Sequence, residues 1–272
     1  GIVTTIGGEE GIRVLPYLDM EIIKEHPKFF MGYSDVSTYT TYFHWKTGLV
    51  TFNGPSVMAG FAESGSLETD FKETVSEFLL SEWEAFTFRP FARYTHGYLD
   101  WSDPQNIERQ NLNYRDNIDG WRVIQGSSSI EGRLYGGCIE VLEFMKGTEF
   151  WPPVEIFDEK VLFLETSEEK PTPLQVSWIL RNYGMQGVLD RINGIVFGRC
   201  RDYSDEEEKD LEGMIKKILH EFDKDDLPVI MGMDFGHTDP QFILPLGIRV
   251  HIDADKQEMR LLESPFSQKR SF

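Results

Sequence analysis

Apolar positions in the first part of the chain recur in short blocks punctuated by glycine. Gly1-Ile2-Val3-Thr4-Thr5-Ile6 reads as a buried strand beginning at the first residue, and Gly7-Gly8-Glu9-Glu10-Gly11 follows as a glycine-rich turn. An apolar, helix-like stretch then runs through Val14 and Leu15. Strand, glycine turn and helix in succession predict a parallel α/β unit. A buried strand needs cover on its other edge, so the unit reads as truncated at its start. A second apolar run, Phe30-Met31-Gly32, meets Tyr33-Ser34-Asp35 and then a segment, 36–45, that can continue as a helix. A strand candidate at 49–52 ends at Asn53-Gly54-Pro55, and a helix over 67–80 places Phe71, Val75, Phe78 and Leu79 on one face.

The pattern breaks down over residues 89–133, which are polar and turn-rich (Asp103-Pro104, Asp119-Gly120, Ser127-Ser128-Ser129). A structureless stretch of that length is either a linker or a functional loop. We read it as the connection between an N-terminal domain, 1–88, and a C-terminal domain, 134–272. It carries Tyr94, Tyr98, Trp101 and Trp121; an exposed tryptophan there would stack on a flat ligand, or else pin the loop to a domain surface. The second domain opens at Leu134-Tyr135-Gly136-Gly137, with strands at 161–164, 194–197 and 228–233 and helical patterns between them. Leu211, Met214, Ile215, Ile218, Leu219 and Phe222 recur at helical spacing and predict a core face. Residues 248–262 alternate across Asp253-Ala254-Asp255-Lys256, the pattern of a β-hairpin, and the acidic run 205–208 reads as a solvated helix start.

Composition narrows the function classes. A chain of 272 residues with 40% hydrophobic content can build one large or two modest cores. Its net charge of -19 repels nucleic acid and anionic membrane, so neither is expected as a partner. No apolar run is long enough to span a bilayer. Cys138 and Cys200 are far apart without metal spacing and predict free thiols in a reducing compartment. With no Cys/His cluster and no His-Glu-x-x-His, no metal site is expected. The Gly7-Gly8 turn could hold a phosphate on its N–H groups or approach a reacting centre closely, but it lacks the spacing of a dinucleotide fingerprint or a P-loop.

Three places could carry chemistry. Ser34 stands where a strand turns sharply into a helix, which exposes its hydroxyl and aims helix N–H groups at whatever it attacks. The bland alternative is that Ser34 or Asp35 caps the helix. Glu165 ends the apolar run Val161-Leu162-Phe163-Leu164, and strand ends are where α/β folds place ligands; alternatively it reaches solvent or caps a helix. His237 follows another strand, on the loop Asp234-Phe235-Gly236-His237-Thr238-Asp239-Pro240, and a lone loop histidine can equally be structural. The chain order Ser, Glu, His is that of one convergent triad class. A serine hydroxyl needs a neutral imidazole to take its proton, the imidazole needs a carboxylate to orient it, and the oxyanion needs preset N–H donors. The N–H of Asp35 and one from Gly7 or Gly8 are the nominated donors.

Four ordered motifs resemble the LD-carboxypeptidase family of serine peptidases: Gly32-Tyr33-Ser34-Asp35, Thr51-Phe52-Asn53-Gly54-Pro55, Leu162-Phe163-Leu164-Glu165, and Phe235-Gly236-His237 followed by Leu244-Pro245-Leu246-Gly247. The resemblance covers nearly the whole chain. It implies an α/β protein with a Rossmann-like N-terminal domain, a β-rich C-terminal domain and a catalytic site between them, with a triad on Ser34, Glu165 and His237. It further implies no metal or cofactor and a cytoplasmic homodimer. The long connection and Thr5-Ile6-Gly7-Gly8 look more like the microcin C immunity branch than the shorter muropeptide enzymes. In that branch a loop tryptophan, here Trp101, stacks on the base of an aminoacyl-nucleotide substrate. Glu9-Glu10 depart from the small polar residues expected beside such a site. The competing readings are a muropeptide carboxypeptidase releasing terminal D-alanine, and a catalytically silent binding protein.

Overall fold

The computed structural model describes residues 1–62, 69–97, 99–100, 102–106 and 113–266. The chain begins with β1 (Ile2–Val3), which pairs in parallel with β2 (Phe30–Gly32); β2 in turn pairs in parallel with β3 (Phe52–Asn53). Between β1 and β2 come two 3-10 turns and α1 (Met20–Glu25), capped by the Asp19 carboxylate on the N–H groups of Glu21 and Ile22. α2 (Ser37–Thr47) joins β2 to β3 and stops at Gly48, whose left-handed φ of 75° a side chain would resist. α3 (Thr69–Leu80) buries Phe71 and Phe78 on the expected face.

A larger sheet follows. It takes in β4 (Phe86–Phe88), β7 (Arg122–Gln125), β8 (Ser129–Cys138), β9 (Lys160–Glu165), β10 (Gly194–Gly198), β11 (Val229–Met233), β13 (Arg249–Asp253) and β14 (Glu258–Leu261), in the order β4-β14-β13-β8-β9-β10-β11-β7. β8 to β11 run parallel, and the remaining pairings are antiparallel. The crossover helices are α4 (Ile139–Met145), α5 (Pro173–Met185) and α6 (Asp205–Glu221). β5 (Arg93–Tyr94) and β6 (Arg115–Asp116) form a separate ribbon, while β12 (Leu244–Pro245) returns to pair with β3.

Alternation along the parallel strands divides the interior in two. Leu162, Leu164, Ile195, Phe197, Val229 and Met231 join Leu180, Tyr183, Leu211 and Ile215 of α5 and α6 in one core. Their neighbours Val161, Phe163, Val196 and Ile230 face a second, phenylalanine-rich core with Phe71, Phe78, Phe88 and Phe242. A strand's side chains alternate faces, so a sheet covered on both sides needs the near-continuous apolar runs found here. Burying each of the α6 residues Leu211, Ile215, Ile218 and Leu219 contributes roughly 1.5–3 kcal/mol. The acidic start of α6 carries a capping box between Ser204 and Glu207.

The protein is a mixed α/β fold, with several local departures from the sequence expectation. The first strand is two residues long and its side chains are exposed rather than buried. The stretch through Val14 and Leu15 forms two 3-10 turns rather than one helix, since Pro16 has no N–H to continue an α-helical ladder. The strand expected at 49–52 shrinks to Phe52–Asn53. The stretch 89–133, expected to lack structure, contributes β7 and half of β8, so Leu134 lies in the middle of a strand rather than opening one. Ile130 and Gly132 are buried while Ser129 and Glu131 face out, a half-buried alternation that composition alone reads as polar loop. Trp121 is buried, with its Nε1–H donating to Asp234 at 2.8 Å, so it pins its segment. Trp101 and Tyr98 lie outside the described residues.

Candidate active site

The chain leaves β2 at Gly32, and two residues later Ser34 sits at φ 61°. A non-glycine residue in this left-handed region costs roughly 1–2 kcal/mol, and such strain gathers at functional turns. Neither Ser34 nor Asp35 caps the helix: a 3-10 turn over Ser34–Val36 runs straight into α2, with no side-chain cap at either start. The Asp35 carboxylate turns back instead and accepts the Gly11 N–H at 2.7 Å. That bond ties the Gly7–Gly11 turn to the serine. A Cβ on Gly7 would lie 2.8 Å from Ser34 Cβ and 3.0 Å from its Oγ, so only glycine permits this approach. The N–H groups of Gly7 and Gly8 donate to nothing among the described residues.

Glu165 is the last residue of β9, fully buried, and its Oε2 lies 2.6 Å from His237 Nδ1. The histidine loop follows β11. Its residue Asp234 accepts from Phe91 N–H and Trp121 Nε1–H and pairs with Arg199 at 2.7 Å, all out of solvent. Thr95 and Asp239 exchange both backbone hydrogen bonds, so the segment that follows β5 straps the same loop. Gly236, at φ 95°, brings the loop so close to Glu165 that a Cβ would sit 2.7 Å from the glutamate's own.

The two halves meet at the ends of the parallel strands. Ser37, at the start of α2, accepts the Cys138 N–H on its Oγ, and Cys138 is the register partner of Glu165. The Tyr33 ring packs edge-on against His237 with centroids 4.9 Å apart. The fold therefore brings Ser34, Asp35, Gly7, Gly8, Glu165 and His237 to one place. Ser34 and His237 share no hydrogen bond.

His237 Nε2, the nitrogen a serine hydroxyl would need, lies 2.7 Å from the Glu168 carboxylate. Burial opposes a charge on the imidazole, but Glu165 by charge and hydrogen bond, and then Glu168, outweigh it and raise His237 to about 10. The bond from His237 conversely holds Glu168 at about 2, against its partial burial. Burial pushes the Glu165 carboxyl up and the imidazole pulls it back. Asp35 is likewise pushed up by burial, opposed by the N–H groups of Gly11 and Glu10, while the nearby Glu9 and Glu10 charges push it further. Glu9 and Glu10 are themselves exposed.

Sequence reasoning missed Glu168 and the anchoring by Asp35. Glu168 lies three residues past the strand end, beside an equally acidic Glu169, and nothing in the spacing says which one turns inward. Its loop is fixed by Glu140 of α4, whose carboxylate accepts from the N–H and Oγ of Ser167. Among the described residues no group of three or more His, Cys, Asp or Glu is arranged to hold a metal ion, and no helix is long and apolar enough to cross a membrane.

Comparison with known proteins agrees with the architecture. The model of the LD-carboxypeptidase N-terminal domain matches residues 1–54, and that of the C-terminal domain matches residues 131–252. The chain is 28% identical to the microcin C7 self-immunity protein MccF of Escherichia coli over 275 aligned residues, which cover 99% of the chain and 75% of MccF. A putative carboxypeptidase of Bacillus subtilis, YocD, is 31% identical, with 93% of the chain and 72% of YocD covered. A solved structure of MccF in complex with aspartyl sulfamoyl adenosine superposes with a TM-score of 0.84 at 27% identity, covering 98% of this chain and 76% of that one. An MccF-like protein from Streptococcus pneumoniae in complex with AMP gives 0.81 at 26%, covering 97% and 78%.

Proposed function

Because the chain belongs to the LD-carboxypeptidase family and is a hydrolase, we propose that it cleaves an amide bond with a Ser34–Glu165–His237 triad, in an aminoacyl- or peptidyl-nucleotide of the microcin C kind. The observation that carries this reading is the 2.6 Å bond from His237 Nδ1 to buried Glu165, beside the strained turn of Ser34. Ser34 Oγ attacks the carbonyl carbon and gives its proton to His237 Nε2; Glu165 holds the ring in the tautomer that leaves Nε2 open and stabilises the imidazolium. The oxyanion takes the N–H of Asp35 and one from Gly7 or Gly8. Nε2 then protonates the leaving nitrogen, and water releases the acyl group by the same steps in reverse order. The nucleotide reading is supported by MccF and the MccF-like protein, whose structures hold an aminoacyl sulfamoyl adenosine and AMP. Trp101 is assigned to stack on the base, and a cytoplasmic homodimer is assigned by resemblance to the family.

The test offers the protein an aspartyl-nucleotide amide and an L,D-tetrapeptide together, followed by mass spectrometry, with Ser34→Ala and His237→Ala as controls. Loss of the nucleotide amide is expected, with each variant slowed on the order of 10⁴-fold or more and still folded. Release of terminal D-alanine alone would make the protein a muropeptide enzyme. Turnover of neither would favour a silent binding protein, and near-normal rates in either variant would remove the triad.

A further inference from the structure

We propose that Glu168 determines specificity by receiving the free α-ammonium group of the substrate's acyl half, and that until such a cation draws it away it latches His237 out of action. This rests on the amidase reading above. Nδ1 of His237 is committed to Glu165, so Nε2 is the only ring nitrogen left for the serine. Glu168 Oε2 stands 2.7 Å from it. An ionised carboxylate only accepts, so a hydrogen bond there requires a proton on both ring nitrogens. A doubly protonated imidazole has no lone pair for the Ser34 proton, and the geometry is that of an idle base.

No other side chain among the described residues pairs with Glu168. It sits on the loop after β9 with its side chain 45% exposed, and among the described residues its only ion pair is with His237. The groups facing this imidazole are Glu165 from the end of β9, Glu168 from the following loop and the Tyr33 ring from the nucleophile turn. Glu140 of α4 adds its charge behind Glu165, and Arg201, just after β10, lies near Glu168. Carboxylates outnumber the cation, so an arriving ammonium is attracted and an arriving carboxylate is not. In any aminoacyl amide the α-nitrogen sits on the carbon next to the scissile carbonyl, hence within reach of a group already touching the general base. When Glu168 moves to that ammonium, His237 gives its Nε2 proton to water and becomes the neutral base. A substrate acylated on its α-nitrogen, as a peptidyl-nucleotide is, offers no cation; it must wait for Glu168 to leave unaided and is therefore cleaved more slowly.

The experiment measures kcat and KM for an aspartyl-nucleotide amide with a free α-amine and for its N-acetyl counterpart, in wild type, Glu168→Gln and Glu168→Asp. Calorimetry with aspartyl sulfamoyl adenosine and its N-acetyl form runs alongside and needs no turnover. Wild type should prefer the free amine in both assays. In Glu168→Gln the KM and the dissociation constant for the free amine should rise roughly 10- to 100-fold, as for a lost hydrogen bond to a charged group. The N-acetyl substrate should instead be cleaved faster, and Glu168→Asp should restore part of the preference. Neutral His237 is the working form, so kcat/KM climbs as pH rises through its pKa; removing the Glu168 charge lowers that pKa and moves the climb to lower pH. An unchanged amine-to-acetyl ratio in Glu168→Gln, or equal weakening of both ligands, would overturn the proposal. Absence of turnover in wild type would count against the amidase reading alone, since the binding ratio still decides the role of Glu168.

Discussion

On the triad proposed above, the nucleophile half and the base half of this site are built in opposite ways. Glu165 ends a six-residue strand paired on both sides, with both faces buried, and His237 hangs from a loop fixed by Asp234, Arg199, Trp121 and Thr95. Ser34 follows a three-residue strand beside strands of two residues, in a strained conformation, with the glycine turn held to it by one carboxylate. The base half is over-determined by packing; the nucleophile half is held by side-chain contacts to backbone. Stability and activity should therefore separate when each half is perturbed.

The sharpest way to break the base half is Asp234→Ala, which strands the buried Arg199 guanidinium and two N–H donors. Urea unfolding should show a loss of about 3–5 kcal/mol; a change under about 1 kcal/mol would mean that other contacts hold the histidine loop. In the nucleophile half, Gly7→Ala pushes a methyl group against Ser34 and displaces the turn proposed to supply an oxyanion donor. It should cost about 10²–10³ in kcat with stability changed by less than about 1 kcal/mol. An equally large drop in stability would erase the contrast between the halves. The smallest effect on stability is that of Ser34→Gly, which on the proposed triad abolishes activity but relieves the left-handed strain. Relief of roughly 1–2 kcal/mol, less the entropy that glycine loses on folding, roughly 0.5–1 kcal/mol, leaves the protein more stable by about 0.5–1 kcal/mol. Thermal unfolding would read it, and a destabilised Ser34→Gly would mean the turn is not strained.

The same contrast sets what could be read from the sequence. β9, β10, β11 and α6 were legible because two-sided burial and helical spacing write themselves into continuous or periodic apolar patterns. The positions of Ser34, Glu165 and His237 at strand ends were legible for the same reason. β8 was not, because its first half is covered on one face only and its outward residues are Ser129, Glu131 and Arg133. The clamp from Asp35 to Gly11 spans 24 residues and the contact between Glu168 and His237 is tertiary; no periodicity records either. The reading of Ser34 or Asp35 as a helix cap fails because the Asp35 carboxylate has a better use across the turn.

The placement of the last strands has a consequence for how the enzyme comes into being. β12 lies against β3 and β14 against β4, so residues near 245 and 260 pair with strands near 52 and 86. A nascent polypeptide that has reached Glu165 holds Ser34 and Glu165 but not His237, which is made some seventy residues later. Such long-range closure is slow, and intermediates that await it expose apolar surface. On the proposed triad, hydrolytic competence arrives late in synthesis, and the first turnover of a newly made molecule would double as a signal that its distant segments have found one another.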